Sequence, residues 1–191
     1  RMDRRVALRE KRVMEILADS LACRRAGRRV FADVSFRILA GEAAVLTGPN
    51  GSGKSSLLRV LAGFLPPDAG DATVGGASLR RDREAAQERV AYAGHLDAVK
   101  PQLTVGENLA VWARLHGAAE QAAERALAAL GLERLADTPA AYCSAGQKRR
   151  VGLARLLTAE RPVWLLDEPT VSLDAAATET FAKIVRAHCA A

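Results

Sequence analysis

The most constraining feature of this sequence is a glycine-rich stretch at residues 48–55 that reads GPNGSGKS. It fits the pattern GxxxxGK[ST] and lies between an apolar run at residues 42–47 and a segment at residues 54–62 that has leucines on one helical face. Glycines let the backbone curl so that several N–H groups converge on an anion, and the following helix directs its positive end to the same point. The stretch therefore predicts a strand, a phosphate-binding loop (the glycine-rich loop, residues 48–53) and a helix.

The residues of this stretch have distinct expected roles. Lys54 supplies a mobile cation, and Ser55 places a hydroxyl where a Mg²⁺ ion bridging two phosphates of a nucleotide would lie, because Mg²⁺ prefers hard oxygen ligands. A nucleoside triphosphate with Mg²⁺ is therefore the predicted ligand. The residues predicted to bind it here are Gly48, Pro49, Asn50, Gly51, Ser52, Gly53, Lys54, Ser55 and Ser56.

A second group of candidate residues follows an apolar run at residues 163–166. This run, VWLL, is typical of a buried central strand, and it ends in the paired carboxylates Asp167 and Glu168. Asp167 is expected to hold Mg²⁺ through water, and Glu168 to accept a proton from an attacking water molecule. Acidic residues after a strand often belong only to a surface turn. The functional interpretation of this pair therefore depends on the glycine-rich loop in the same chain.

A third motif is the short polar sequence SAGQ at residues 144–147 (the SAGQ turn), which precedes a helix with an apolar face. Ser144, Gly146 and Gln147 at a helix N-terminus form a second candidate anion site. Taken alone, Ser144 could equally be an N-cap that satisfies the free amides of the helix. A single chain has no evident use for two sites that bind the same phosphate.

Together and in this order, the three motifs resemble those of the ABC ATPase family, over roughly residues 14–188. The resemblance implies that two copies associate head to tail, so that each ATP lies between the glycine-rich loop of one copy and the SAGQ turn of the other, where the family usually has Leu-Ser-Gly-Gly-Gln. It also assigns Ser172-Leu173-Asp174 to a loop at that interface. ATP, Mg²⁺, a second ATPase copy and an integral membrane subunit are the ligands and partners that it implies.

A narrower resemblance is carried by YAGH at residues 92–95, by LTVGENL at residues 103–109 and by the two arginines after the SAGQ turn. These features look like the branch of the family that exports haem in bacterial cytochrome c maturation. Most family members have glutamine at the position of His95, where the side chain senses Mg²⁺ and the membrane partner. The resemblance therefore places His95 in the catalytic set with Glu168 and Lys54, although His95 could also be a loop residue without a role.

No aromatic residue occurs at residues 23–26, where the family commonly has one that stacks on adenine. The sequence there is Cys23-Arg24-Arg25-Ala26. Either a guanidinium group of Arg24 or Arg25 lies flat against the base, or both arginines are solvated surface residues. The residue that stacks on adenine is therefore left open.

The distribution of apolar residues along the chain also indicates the fold class. The pattern predicts an α/β fold with a mostly parallel core sheet, an antiparallel N-terminal β subdomain and a helical insertion. The resemblance implies that this fold is a P-loop NTPase of the ABC ATPase type. The predicted strands are residues 15–23, 33–39, 42–47, 73–74, 90–93 and 163–166, and the predicted helices are residues 54–62, 104–135, 145–159 and 175–187.

Residues 14–191 are expected to form one ABC ATPase domain with a helical subdomain at about residues 97–143. Compared with the family, the chain is expected to lack a further strand and the histidine that contacts the γ-phosphate. His188 comes only fourteen positions after Asp174, near the end of a predicted helix, and is not assigned that role. Truncation of a longer protein is the favoured explanation.

The net charge of +6 raises the question of a nucleic-acid or membrane partner. Much of the excess lies in residues 1–12, which carry six basic and two acidic side chains, so residues 1–13 are expected to be a basic N-terminal arm. The remainder is nearly balanced, and no run of 18 apolar residues is present that could span a membrane. We therefore expect peripheral association with the cytoplasmic face of the bacterial inner membrane, and no nucleic-acid ligand.

Alternative functions stay open on the sequence. The chain could be an ABC ATPase for another small substrate, because nothing in the nucleotide site distinguishes one cargo from another. It could be a soluble non-transport ABC ATPase, although such proteins normally carry two cassettes or a long inserted coiled coil, for which 191 residues leave no room. A catalytically silent binding module is favoured only by the expected lack of the histidine and the final strand.

Overall fold

The computed structural model describes residues 16–119 and 121–191, so the basic arm predicted at residues 1–13 lies outside the described residues. The described elements alternate between strands and helices along the chain. The strands are β1 (Ile16–Arg25), β2 (Arg28–Ile38), β3 (Ala69–Val74), β4 (Ala77–Ser78), β5 (Val90–Ala93) and β6 (Val163–Leu166). The helices are α1 (Lys54–Leu61), α2 (Arg83–Gln87), α3 (Val105–Leu115), α4 (Gln121–Ala129), α5 (Ala145–Ala154) and α6 (Ala175–Ala190), with 3₁₀ helices at Glu133–Leu135, Ala140–Tyr142 and Arg155–Thr158.

The first four strands form an antiparallel sheet in the order β2-β1-β3-β4. β1 and β2 are joined by a tight turn in which Ala26 and Gly27 have positive φ values of 48° and 77°. The buried side chains of Leu21 and Val74 share an apolar cluster with Leu57 of α1. The predicted antiparallel N-terminal β subdomain is therefore confirmed, and it packs against the helix that follows the glycine-rich loop.

β5 and β6 form a separate parallel pair, with Val90 opposite Val163 and Ala93 opposite Leu166. The backbone amide of Asp167 continues the ladder by donating to the carbonyl oxygen of Ala93 over 2.8 Å. Parallel strands have their carboxyl ends at the same edge of a sheet, so the loop after β5 and the loop after β6 begin side by side. This edge carries the acids that the sequence predicts to be functional.

The apolar run at residues 42–47, which we predicted to be a strand, is irregular and exposed, so this prediction is wrong. Glu42 instead closes a turn at the end of β2, where its amide donates to the carbonyl oxygen of Leu39 over 3.1 Å and its carboxylate accepts the amide of Leu39 over 2.9 Å. The two alanines of the run favour a strand only weakly. A cavity of about 720 Å³ lies between the run and β6, and the parallel sheet of the described residues is limited to β5 and β6.

The predicted helical block forms between β5 and β6. Gly117 and Gly131 adopt positive φ values of 66° and 62° after α3 and α4, and they interrupt the helix predicted at residues 104–135. α3 begins with a reciprocal capping box: the hydroxyl of Thr104 accepts the amide of Glu107 over 3.1 Å, and the carboxylate of Glu107 accepts the amide of Thr104 over 2.8 Å. Among the described helices, none combines the length and the apolar character that crossing a bilayer requires.

Packing of the antiparallel sheet generates a first prediction, on strand β1. Leu21 is fully buried, so Leu21→Ala is expected to lower the free energy of unfolding by about 2–5 kcal/mol through lost contacts and a residual cavity. Leu17→Ala is the matched control, because Leu17 lies on the same strand but is 42% exposed. Urea unfolding of the two variants measures the difference. Equal losses in both would contradict the packing described for β1.

Candidate active site

The glycine-rich loop curls above the N-terminus of α1. Gly48, Gly51 and Gly53 have φ values of 145°, 81° and 97°, which residues with a side chain rarely adopt. Gly53 is required for a second reason, because a Cβ at this position would lie 2.8 Å from Cγ1 of Val30 on β2. The shape of the loop and its contact with the antiparallel sheet therefore both depend on glycine.

Lys54 begins α1, and its ammonium group lies against the start of the glycine-rich loop. Its Nζ donates to the carbonyl oxygens of Gly48 over 2.7 Å and Pro49 over 2.9 Å. The first turn of α1 contains no acidic residue, and Gly53 at the N-cap offers no side-chain acceptor to the free amides of the helix. Both the amides and the positive end of the helix dipole therefore remain available to an anion. Ser56, also predicted to bind the nucleotide, is largely buried at 9% exposure.

Ser55 and Asp167 meet in the structure although they lie 112 positions apart in the sequence. The hydroxyl of Ser55 donates to Oδ1 of Asp167 over 2.9 Å, and the hydroxyl of Tyr92 donates to Oδ2 over 3.4 Å. Burial raises the pKa of the Tyr92 hydroxyl, and the neighbouring Asp167 carboxylate raises it further, so the hydroxyl stays protonated and able to donate. Hydroxyl and carboxylate oxygens suit Mg²⁺, so Ser55 and Asp167 fit the metal role predicted for them.

Glu168 follows Asp167 directly and leaves its carboxylate half-exposed. Its Oε2 lies 3.6 Å from Nδ1 of His95, whose side chain is 64% exposed. The φ of Glu168 is 49°, in the left-handed region that is uncommon for residues other than glycine. The structure thus brings the predicted base and the predicted histidine together at the edge where Asp167 contacts Ser55.

The SAGQ turn forms the N-terminus of α5 through a second capping box. The hydroxyl of Ser144 accepts the amide of Gln147 over 3.2 Å, and Oε1 of Gln147 accepts the amide of Ser144 over 2.7 Å. The N-cap interpretation of Ser144 is therefore confirmed, and the hydroxyl keeps its own proton for a further acceptor. Gly146 has no room for a side chain, because a Cβ would lie 2.8 Å from the carbonyl oxygen of Ser172.

The SAGQ turn and the loop at residues 172–174 enclose a cavity of about 300 Å³. The glycine-rich loop contributes no residue to this cavity, whereas Lys54 lines the larger cavity together with Asp167 and Glu168. The predicted nucleotide-binding residues therefore lie in two separate places on the chain.

His188 is packed rather than exposed. Its ring stacks on that of Trp164, with the centroids 3.9 Å apart and the planes 10° from parallel. Burial lowers the pKa of the His188 imidazole, which favours the neutral form. This packing agrees with leaving His188 out of the catalytic set.

The adenine contact stays a prediction. Cys23 is buried in the antiparallel sheet, while Arg24 and Arg25 are exposed at the end of β1 beside the turn to β2. Both arginines are free of aromatic partners among the described residues, so either could stack on a base.

Comparison with known proteins decides the family. The family described as "ABC transporter" matches residues 31–171. The chain belongs to the ABC transporter family. Within this family, the "Cytochrome c biogenesis ATP-binding export protein CcmA" of Paramagnetospirillum magneticum is 53% identical over 178 residues, which cover 91% of this chain and 82% of that protein. The protein of the same name from Rhodospirillum rubrum is 51% identical over 173 residues, which cover 91% of this chain and 74% of that protein.

A solved structure from the ABC transporter family shares the fold. It is described as the ATP-binding subunit of an ABC transporter, and it superimposes with a TM-score of 0.82 at 28% identity over 92% of this chain and 75% of that one. The family and the narrower resemblance that we predicted from the motifs are thus confirmed, as is the P-loop fold class.

The sequence motifs did not single out two residues of the candidate site. Tyr92 was noticed only as part of a motif, and Arg149 only as one of the arginines after the SAGQ turn. Arg149 is 3% exposed and reaches the loops after β5 and β6. Gly152, one turn later on α5, is the sequence feature that could have indicated this burial, because a Cβ there would lie 2.9 Å from the carbonyl oxygen of Asp97. A glycine on that face indicates that α5 packs closely there.

The loop geometry generates a second prediction. Gly53→Ala is expected to weaken ATP binding about tenfold more than Gly51→Ala, since an αL conformation costs roughly 1–2 kcal/mol in both but only Gly53 also has a neighbour in the way. A Cβ at Gly51 would meet no atom within 4 Å, which makes this substitution the matched control. Titration with a fluorescent ATP analogue measures both affinities. The close approach of the loop to Val30 would be refuted by equal affinities.

Proposed function

We propose that this chain is the subunit of an ABC exporter that binds and hydrolyses ATP, and that the exporter serves cytochrome c biogenesis with haem as its cargo. The activity is supported above all by the hydrogen bond between Ser55 and Asp167, because it joins the glycine-rich loop to the acidic edge of the parallel sheet. The role in cytochrome c biogenesis is supported by the CcmA relatives. Haem as the cargo is supported by the resemblance of the YAGH and LTVGENL motifs to the haem-exporting branch.

ATP is held by its phosphates. The amides of the glycine-rich loop and the N-terminus of α1 neutralise the anionic charge, and the ammonium of Lys54 exchanges the carbonyl oxygens of Gly48 and Pro49 for phosphate oxygens. Ser55 and Asp167 would hold Mg²⁺, which supplies charge neutralisation at the β- and γ-phosphates when bound. Positioning and charge stabilisation account for most of the catalysis expected of such a site.

Hydrolysis needs a base beside the γ-phosphate. Glu168 is suited to accept a proton from the attacking water, because its half-exposed carboxylate can reach a water molecule and lies beside the acid that contacts Ser55. His95 lies 3.6 Å from this carboxylate and orients it. Lys54 and the loop amides stabilise the charge that develops on the transferred phosphoryl group.

A second copy of the chain supplies the SAGQ turn to each ATP. In one copy the turn lines a different cavity from that of Lys54, which leaves the hydroxyl of Ser144 and the dipole of α5 for the triphosphate bound by the other copy. A head-to-tail pair uses both anion sites of each copy. The loop at residues 172–174, which contacts Gly146, then lies at the interface between the copies.

An integral membrane subunit is the other partner. The surface that would bind it consists of the helical block at about residues 97–143 and the His95 loop. Leu96 and Tyr142 support this assignment, because they are 80% and 82% exposed near the two ends of the block and large exposed apolar side chains favour a protein contact. The chain is then peripheral, on the cytoplasmic face of the inner membrane. The basic arm at residues 1–13 would add attraction to anionic lipid.

The assigned base gives the test of the activity. Glu168→Gln is expected to lower kcat for ATP by about 10²–10⁴-fold while leaving ATP affinity within a few-fold, because a general base contributes on that order and the glycine-rich loop is unchanged. Glu160→Gln removes an exposed glutamate at the other end of β6 and should keep wild-type turnover. Phosphate release and ATP binding are measured on the same preparations. Equal turnover in Glu168→Gln and the wild type would remove Glu168 from its role.

Complementation tests the cargo. In a bacterium whose own CcmA gene is deleted, the wild-type chain is expected to restore c-type cytochromes with covalently bound haem, and Glu168→Gln is expected not to. Haem staining of separated membrane proteins measures the result. A chain that hydrolyses ATP and binds bacterial membranes yet restores no cytochrome would refute the cargo and leave the ATPase standing.

A further inference from the structure

Arg149 lies on α5, two positions after the SAGQ turn, with a side chain that is only 4% exposed. A buried guanidinium group is costly unless its N–H donors find acceptors inside the protein, and it can present five of them in a fixed planar fork. The acceptors of this side chain lie in two loops rather than in its own helix. Arg149 therefore connects α5 to other parts of the site.

The first group of acceptors is in the loop after β5. Nη1 of Arg149 donates to the carbonyl oxygen of Gly94 over 2.9 Å and to Oδ1 of Asp97 over 3.0 Å. Asp97 is 26% exposed at its side chain and supplies the opposite charge that a buried guanidinium needs. Gly94 and Asp97 enclose His95 in the sequence, so these bonds hold the segment that presents its imidazole.

The second group of acceptors is in the loop after β6. Nη2 donates to the carbonyl oxygens of Asp167 over 3.2 Å and Glu168 over 2.6 Å, and Nε donates to that of Pro169 over 3.1 Å. The backbone of Glu168 is in the left-handed region, a conformation that persists only when its surroundings hold it. Three bonds to successive carbonyl oxygens do this, and they fix the direction in which the Glu168 carboxylate leaves the chain.

We propose that Arg149 is a positioning residue, which holds Glu168 and His95 in their catalytic arrangement and ties both to the SAGQ turn. The proposal rests on the proposed function, in which Glu168 is the base. Because one rigid planar group binds both loops, a displacement of the N-terminus of α5 displaces the carboxylate and the imidazole together. A lysine at this position would present a single ammonium, which cannot reproduce the fork.

The test is steady-state ATP hydrolysis by the purified chain carrying Arg149→Lys. We expect kcat to fall about 100-fold with KM for ATP changed less than about twofold, because a small displacement of the base affects the chemical step while the glycine-rich loop is intact. Leu21→Ala is the control for lost stability, since Leu21 is buried on β1 of the antiparallel sheet rather than in the loops that Arg149 binds, and its kcat below the unfolding midpoint should match the wild type. An unchanged kcat in Arg149→Lys, or a rise in KM alone, would overturn the proposal.

A double-mutant cycle separates positioning from a general structural role. In the Glu168→Gln background, Arg149→Lys should lower the residual single-turnover rate by less than about twofold, since the base that it positions is already absent. Multiplicative losses would overturn the proposal.

If Arg149→Lys does not fold, Asp97→Asn tests the same contact from the other side. It should lower kcat about tenfold at constant KM, and a wild-type kcat would again reject the proposal.

Different results would reject the ATPase function of the chain and the positioning role of Arg149. A wild-type chain without ATPase activity, or a fully active Glu168→Gln variant, would defeat the proposed function. An active wild type, an inactive Glu168→Gln variant and a fully active Arg149→Lys variant would defeat only the positioning role of Arg149.

Discussion

The parallel pairing of β5 with β6 determines where the reactive groups of this protein lie. The four paired residues of each strand end at the same level. The hydrogen bond from the amide of Asp167 to the carbonyl oxygen of Ala93 extends the pairing to the first residue of the loop after β6. His95 and Glu168 consequently start from adjacent strand ends, and Asp167 reaches Ser55 at the first turn of α1. A slip of this register by one residue would turn every side chain to the opposite face of the sheet, and it would separate His95 from Glu168 and Asp167 from Ser55.

Features that depend on neighbours in the sequence could be predicted. The glycines of the glycine-rich loop adopt positive φ values because the chain must curl there, and Gly117 and Gly131 end their helices for a similar reason. Ser144 caps α5 because its hydroxyl is three residues from the amide that it satisfies. The roles of Asp167 and Glu168 were assigned from their position after an apolar strand, and the structure places both at the carboxyl edge, while the chemistry itself stays a prediction.

Features that depend on distant partners could not be predicted. Arg149 looks like a solvated residue in a basic run, because its acceptors lie between 18 and 55 positions away and leave no local pattern. Tyr92 was missed for the same reason, since its hydroxyl meets Asp167 only through the pairing of β5 with β6. The error at residues 42–47 has another origin: a short apolar run does not reveal whether a neighbouring strand accepts it, and alanines do little to decide the matter.

The two capping boxes differ in the charge of the side chain that completes them. α3 begins with Thr104 and Glu107, whereas α5 begins with Ser144 and Gln147, and the geometry of the two boxes is nearly the same. A carboxylate completes the first box with a full negative charge, while a neutral amide completes the second without one. Both side chains secure their helix, but only the amide leaves the electrostatic attraction of the helix end for phosphate undiminished. Glutamine in place of glutamate thus stabilises the start of the helix without placing a negative charge where an anion would bind.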